Sequence, residues 1–164
     1  MIRRIDKAEA QARLAAQIAP GECAICALVA GRIGDPRDVI AETPEAKVVL
    51  TQYPSRWGHM LVVTRAHVTS FTAVDDATHD ATMRLAREAA RRLERTMKPA
   101  RVFVASLGCA HEGLPATSPH LHVHVVPVMD PDARPRDVLT WENGIDEGDA
   151  EEWAALRARL RGAG

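Results

Sequence analysis

Residues 119–127 read Pro-His-Leu-His-Val-His-Val-Val-Pro, and this alternation constrains the chain more than any other feature in it. Strand side chains alternate between faces with a period of two, so Leu121, Val123 and Val125 share one face and His120, His122 and His124 the other. Same-face neighbours stand roughly 7 Å apart and the outer pair about 13 Å apart, whereas zinc–nitrogen bonds are only about 2.0–2.1 Å long. One ion can hold two of these rings, but hardly all three. The row implies a division of labour, with a neutral imidazole free to act as nucleophile or proton carrier near neutral pH.

At 164 residues the chain is expected to form a single domain over 1–164, large enough to bury a core without disulfide staples. Its net charge is −1, with both signs interspersed, so there is no basic field for long nucleic acid. A small anionic ligand held by local groups fits better. No stretch approaches membrane-spanning length, and residues 1–20 lack the apolar centre of a signal peptide. Three cysteines, two of them in Cys23-Ala24-Ile25-Cys26, do not make a secreted disulfide framework. The expected compartment is the cytoplasm, with no membrane partner.

The spacing predicts a helix over 5–18, ended by Pro20-Gly21, and short strands over 39–42, 47–52 and 60–65 joined as consecutive antiparallel partners. Leu85, Ala89, Leu93 and Met97 recur at four-residue spacing, which predicts one long helix over 75–98 stopped by Pro99. Further strands are expected over 101–106 and 121–128, with a loop over 107–119 between them. A Pro/Asp/Arg-rich stretch at 130–137 precedes a last helix over 149–160. Hairpin-linked strands segregated from one long helix indicate an α+β domain.

Cys23 and Cys26 are spaced as half of a tetrahedral zinc site. A pair of small buried thiols, or a redox pair, is the competing reading.

The triad run His120-Leu121-His122-Val123-His124-Val125-Val126 resembles the signature of the histidine triad (HIT) family. The likeness extends to Glu22-Cys23-Ala24-Ile25-Cys26, to Tyr53-Pro54 and Gly58-His59-Met60-Leu61-Val62-Val63, and to Arg65-Ala66-His67-Val68, in family order over about residues 22–128. Residues 1–20 then form an N-terminal helix, 22–128 the HIT core, and 129–164 a C-terminal extension and helix.

The resemblance implies a five-stranded antiparallel sheet, extended across a homodimer. It also implies hydrolysis or transfer at a phosphoanhydride or phosphoramidate bond of a nucleotide, through a covalent nucleotidyl-histidine. In that scheme His122 is the nucleophile, its second ring nitrogen donating to a fixed main-chain carbonyl. His124 and His59 share the site, and Thr117 and Ser118 are candidate substrate donors. In the zinc-containing branch the two remaining ligands match His67 and His120. The expected metal site is therefore Cys23, Cys26, His67 and His120, closed and structural, leaving His122 unligated. Two competitors remain: a catalytic zinc held by two triad histidines and His59, and a nucleotide-binding dimer without turnover.

The chain departs from its hydrolysing relatives at Thr51, where they carry an acidic residue or Asn, and at Ala116, where they carry Gln. Ser106 stands at or near a position where they have Asn. Trp57 and Trp141 are expected to pack in the core or a dimer contact, and Cys109 has no assigned partner.

Overall fold

Alternating apolar residues along short valine-rich runs require a sheet with one face pressed against a helix. The computed structural model describes residues 1–107 and 118–163. Its elements run β1 (Arg3–Ile5), α1 (Lys7–Ala15), α2 (Ala24–Val29), β2 (Val39–Glu42), β3 (Ala46–Leu50), β4 (Met60–Thr64), α3 (Asp76–Met97), β5 (Arg101–Ala105), β6 (His122–Val128), α4 (Pro135–Leu139), β7 (Ile145–Glu147) and α5 (Ala150–Gly162). Five strands form one antiparallel sheet in the order β2-β3-β4-β6-β5. This is the α+β, five-stranded architecture expected from the sequence.

The pleat sorts the residues of β6. Val123 and Val125 join Val48, Leu50, Met60 and Val62 beneath α3, where Leu85, Ala89 and Leu93 supply the facing side chains. Burying a leucine such as Leu93 contributes about 1.5–3 kcal/mol. His122 and His124 therefore point to the opposite face, opposite Val63 and Leu61 of β4. Val126 and Val128 share that face and pack against Val138 of α4, so the Pro/Asp/Arg-rich stretch folds back as a cover beside the histidines. Helix α3 starts where the Asp75 carboxylate accepts the Thr78 N–H at 2.9 Å and stops at Lys98, left-handed at φ 50, just before Pro99.

The N-terminal helix is present but shorter than its periodicity predicts. Asp6 accepts the Glu9 N–H at 2.8 Å and starts the helix at Lys7, while Ile5 ends β1, paired with Ile145 of β7. That two-stranded sheet and the short helices α2 and α4 were not expected. Trp57 packs on Trp153 at 4.5 Å between centroids, and Trp141 meets Tyr53 edge-on at 6.0 Å, so both are internal packing residues. Among the described residues no helix is long and apolar enough to cross a membrane.

Gly58, immediately before His59, sits at φ +90, and a Cβ there would lie 2.6 Å from Met97 Sδ and 3.3 Å from Pro127 Cγ. Gly58→Ala is expected to cost about 1–3 kcal/mol through backbone strain and overpacking. A urea titration should show a lowered midpoint with an unchanged slope; an unshifted midpoint refutes the assignment.

Candidate active site and metal centre

Three imidazoles cluster on the open face of the sheet. The His122 ring lies 4.8 Å from that of His124, and His59 lies 5.2 Å from His124 on the other side. The His122 Nδ1–H donates to the His120 carbonyl at 2.7 Å, which leaves the lone pair on Nε2.

The other two rings form a relay whose polarity is set by a main-chain donor. The Ser55 N–H donates to His59 Nδ1 at 3.4 Å, with the Ser55 hydroxyl 3.2 Å away. His59 therefore carries its proton on Nε2 and donates it to His124 Nδ1 at 3.0 Å. His124 in turn carries its proton on Nε2. An unprotonated Nε2 on His122 thus neighbours a protonated Nε2 on His124, a lone pair beside a neutral N–H donor.

Burial and mutual repulsion keep these rings uncharged. Desolvation, then the His124 and His122 rings, hold His59 well below the usual histidine range. Desolvation and His122 push His124 down to about 3. His122 is lowered by burial, partly opposed by its hydrogen bond to the His120 carbonyl.

The second cluster begins at the start of α2. Cys23 is its N-cap and Cys26 follows one turn later, while Lys47 of β3 anchors the far end by donating from Nζ to the Val29 carbonyl at 3.1 Å. His67 arrives from the segment after β4, tied to the triad strand where Leu121 N–H donates to the Val68 carbonyl at 2.7 Å. Cys26 Sγ lies 3.0 Å from His67 Nδ1 and 3.4 Å from His120 Nδ1, and Cys23 Sγ 3.8 Å from His120 Nδ1. All four ligand atoms fall within 4.8 Å of one another.

Tetrahedral zinc places N and S donors about 3.5–3.8 Å apart, given Zn–S near 2.3 Å and Zn–N near 2.0–2.1 Å. The set fits. His120 Nε2–H donates to the Thr64 carbonyl at 2.8 Å, which turns the Nδ1 lone pair toward the sulfurs, as an outer partner of a metal ligand does. Burial and then the Cys23 sulfur push the Cys26 thiol up, and a bound cation would favour its thiolate form.

The structure therefore brings His59, His122 and His124 into one group, and Cys23, Cys26, His67 and His120 into another. Ser118 Oγ lies on the metal side, 3.9 Å from Cys23 Sγ and 3.4 Å from His120 N. Thr117, Ala116 and Cys109 lie outside the described residues. Thr51 adjoins the relay through its N–H, which donates to the His59 carbonyl at 3.2 Å. Ser55 and Thr64 were missed in the sequence. The Ser55 signal is its place in the turn preceding His59; Thr64, ending an apolar strand, offers none.

An antiparallel five-stranded sheet that carries a histidine row, with a Cys2His2 cluster at its head that could hold a metal ion, defines a histidine triad protein. The chain belongs to the HIT family: a HIT domain model matches residues 34–130. It is 30% identical over 112 residues to an uncharacterized 16.1 kDa HIT-like protein of Mycoplasma pneumoniae, covering 67% of this chain and 74% of that one. Its fold matches a Zn-bound histidine triad family protein from Mycobacterium smegmatis with TM-score 0.64 and 24% identity, covering 87% and 95% of the two chains. The diadenosine triphosphate hydrolase of Plasmodium falciparum, solved with Cyclomarin A, matches with TM-score 0.57 and 15% identity over 79% and 77%.

A histidine whose folded pKa is depressed adds stability above its unfolded value of about 6.5 and loses it as pH falls toward the folded value. For His124, with a folded value of about 3, the window runs from pH 6.5 down to 3. Wild type is expected to lose about 2 kcal/mol more than His124→Gln between pH 7 and pH 5, measured by denaturant titration at both pH values. Equal losses in the two proteins refute a neutral His124.

Proposed function

We propose that the chain is a nucleotidyl hydrolase or transferase acting on a phosphoanhydride or phosphoramidate bond of a nucleotide, hydrolysis being favoured, with His122 as covalent nucleophile. One observation carries this reading: the His122 Nδ1–H is committed to the His120 carbonyl at 2.7 Å, so Nε2 is unprotonated and holds the lone pair that would attack phosphorus. Family membership supports it, as does the fold shared with the diadenosine triphosphate hydrolase.

In the first step the Nε2 lone pair forms a bond to the phosphorus bearing the nucleoside. The bond from phosphorus to the leaving group breaks, and its electron pair departs with that group. The His122 ring becomes an imidazolium whose Nδ1–H remains on the His120 carbonyl. The His124 Nε2–H donates to a non-bridging oxygen, where charge accumulates, and His59 holds His124 in that tautomer. Water or another acceptor then attacks the phosphorus, releases the nucleotide and restores the neutral ring.

Zinc would be held by Cys23, Cys26, His67 and His120 and would supply structure, since four protein ligands would fill a tetrahedral site. Homodimerisation completes the reading. Strand β5 is a sheet edge, and Phe71, Met83, Val104 and Leu107 are exposed, an apolar margin suited to pairing with a second copy.

Incubation with diadenosine triphosphate or an AMP phosphoramidate, followed by acid quench, is expected to leave a nucleotidyl mass on the His122 peptide. His122→Ala should lose turnover by on the order of 10³-fold or more while staying folded. The acid limb of kcat/KM should lie below pH 6.5, because burial lowers the His122 pKa and the reactive form is the neutral one. Wild-type rates in His122→Ala would end the mechanism. Elemental analysis should find about one zinc per chain in a protein that sediments as a dimer. Cys23→Ser Cys26→Ser should lose the metal and melt earlier. A metal-free wild type of full stability would remove the zinc site.

A further inference from the structure

Residues 131–163 lie beyond the segment matched by the HIT model, yet they grip the turn that aims His59. The Asp146 N–H donates to the Pro54 carbonyl at 2.9 Å, and Asp146 Oδ2 accepts the Trp57 N–H at 2.7 Å. One buried residue thereby bonds the main chain at positions 54 and 57 of the turn. Its other oxygen, Oδ1, accepts from Arg4 Nε at 2.9 Å, the residue facing it across the β1–β7 pair.

The same turn is braced twice more. The Arg56 guanidinium donates to the carbonyls of Ser55 at 2.6 Å and of Asp137 at 2.7 Å. The Trp57 ring lies so close to Gly148 that a Cβ there would fall 2.4 Å from it.

We infer that Asp146 is a positioning residue for the histidine relay: by fixing the 54–58 turn it keeps Ser55 against His59 Nδ1, and so decides which nitrogen of His124 carries the proton. The inference rests on the reading of His124 as the phosphate's neutral donor. The chemistry follows from the bond polarity described above. A Ser55 N–H that drifts from His59 Nδ1 no longer excludes a proton there. A His59 ring protonated on Nδ1 presents a lone pair from Nε2, so His124 must protonate its own Nδ1 to keep the bond. Its Nε2 then faces the phosphate as a lone pair, and attraction becomes repulsion.

The test compares Asp146→Ala, Asp146→Asn and Asp146→Glu by long-range 1H–15N imidazole spectra and by steady-state hydrolysis of diadenosine triphosphate. Asn keeps the length and the acceptor for the Trp57 N–H; Glu keeps the charge but moves it outward by one methylene. Wild type and Asp146→Asn are expected to show His124 protonated on Nε2. Asp146→Ala and Asp146→Glu should show mixed tautomers at His59 and His124, with kcat lowered about 10- to 100-fold and KM within about twofold of wild type. Should Asp146→Ala fail to fold, the Asn and Glu pair decides. The wild-type tautomer pattern in every folded variant overturns the inference. The spectra need no substrate, so a wild type inactive toward both diadenosine triphosphate and an AMP phosphoramidate would sink the nucleotidyl reading while the tautomers still judge Asp146.

Discussion

The hydrogen bond from His122 Nδ1 to the His120 carbonyl, 2.7 Å long, is the contact on which the proposed chemistry depends. His120 is buried completely and faces two ways. Its main chain accepts from His122, the proposed nucleophile, while its ring lies between Cys23, Cys26 and Thr64. Anything that fixes the ring also fixes the carbonyl, because both hang from one Cα at the mouth of β6. The proposed metal centre and the proposed nucleophile, two residues apart, are thereby separate in chemistry and joined in geometry. The arrangement also answers the spacing problem posed by the histidine row: only the first ring turns toward the cysteines.

Electrostatics reinforces that separation. Two thiolates and two neutral imidazoles around Zn²⁺ sum to no net charge, so such a centre projects little field toward a phosphate. The relay contributes none either, since burial holds its rings uncharged. Arg56, the guanidinium on the neighbouring turn, is tied to the carbonyls of Ser55 and Asp137. On the proposed mechanism, attack by a neutral ring creates the imidazolium, so positive charge arises beside the phosphorus as the bond forms. Interactions absent in the ground state and present in the transition state accelerate a reaction, whereas those present in both only tighten binding.

Much of this was legible in the residues, and the reasons are local. Period two along β6 gives the two faces of the sheet, and four-residue spacing from Leu85 to Met97 gives α3. Spacing marked Cys23 and Cys26 as half of a metal site, whereas His67 and His120 came only with the family resemblance, and the fold brings all four together. What escaped was held by contacts distant in sequence. Strand β1 is three residues long, two of them arginines, and becomes a strand only because Glu147 and Asp146 stand opposite Arg3 and Arg4. Neither pattern nor propensity marks such a segment. Helix α4 opens on a proline within a charged run, and its apolar side chain Val138 gains meaning only against Val126 and Val128. The Ser55–His59 bond was hidden differently: it depends on the turn's shape, which Gly58 at φ +90 and the distant Asp146 set together.

The distribution of these supports explains how one sheet can carry both a rigid floor and an adjustable donor. His122 opens β6, paired with Val63 of β4 on a strand that β5 holds on its other side from His124 onward, and its carbonyl acceptor is two residues upstream. Few degrees of freedom separate nucleophile from scaffold. His59 instead enters from a turn before β4, and its ring orientation passes through Ser55, the turn, Asp146 and Arg4 before reaching another element of regular structure. Each link adds a place where the donor can be retuned without touching the nucleophile. On the proposed mechanism the nucleophile must have one geometry for every substrate, whereas the donor must match where each substrate places its non-bridging oxygen. On that argument, divergence within such a scaffold belongs in the termini that grip the turn, and the part of this chain outside the matched HIT segment is where that grip is found.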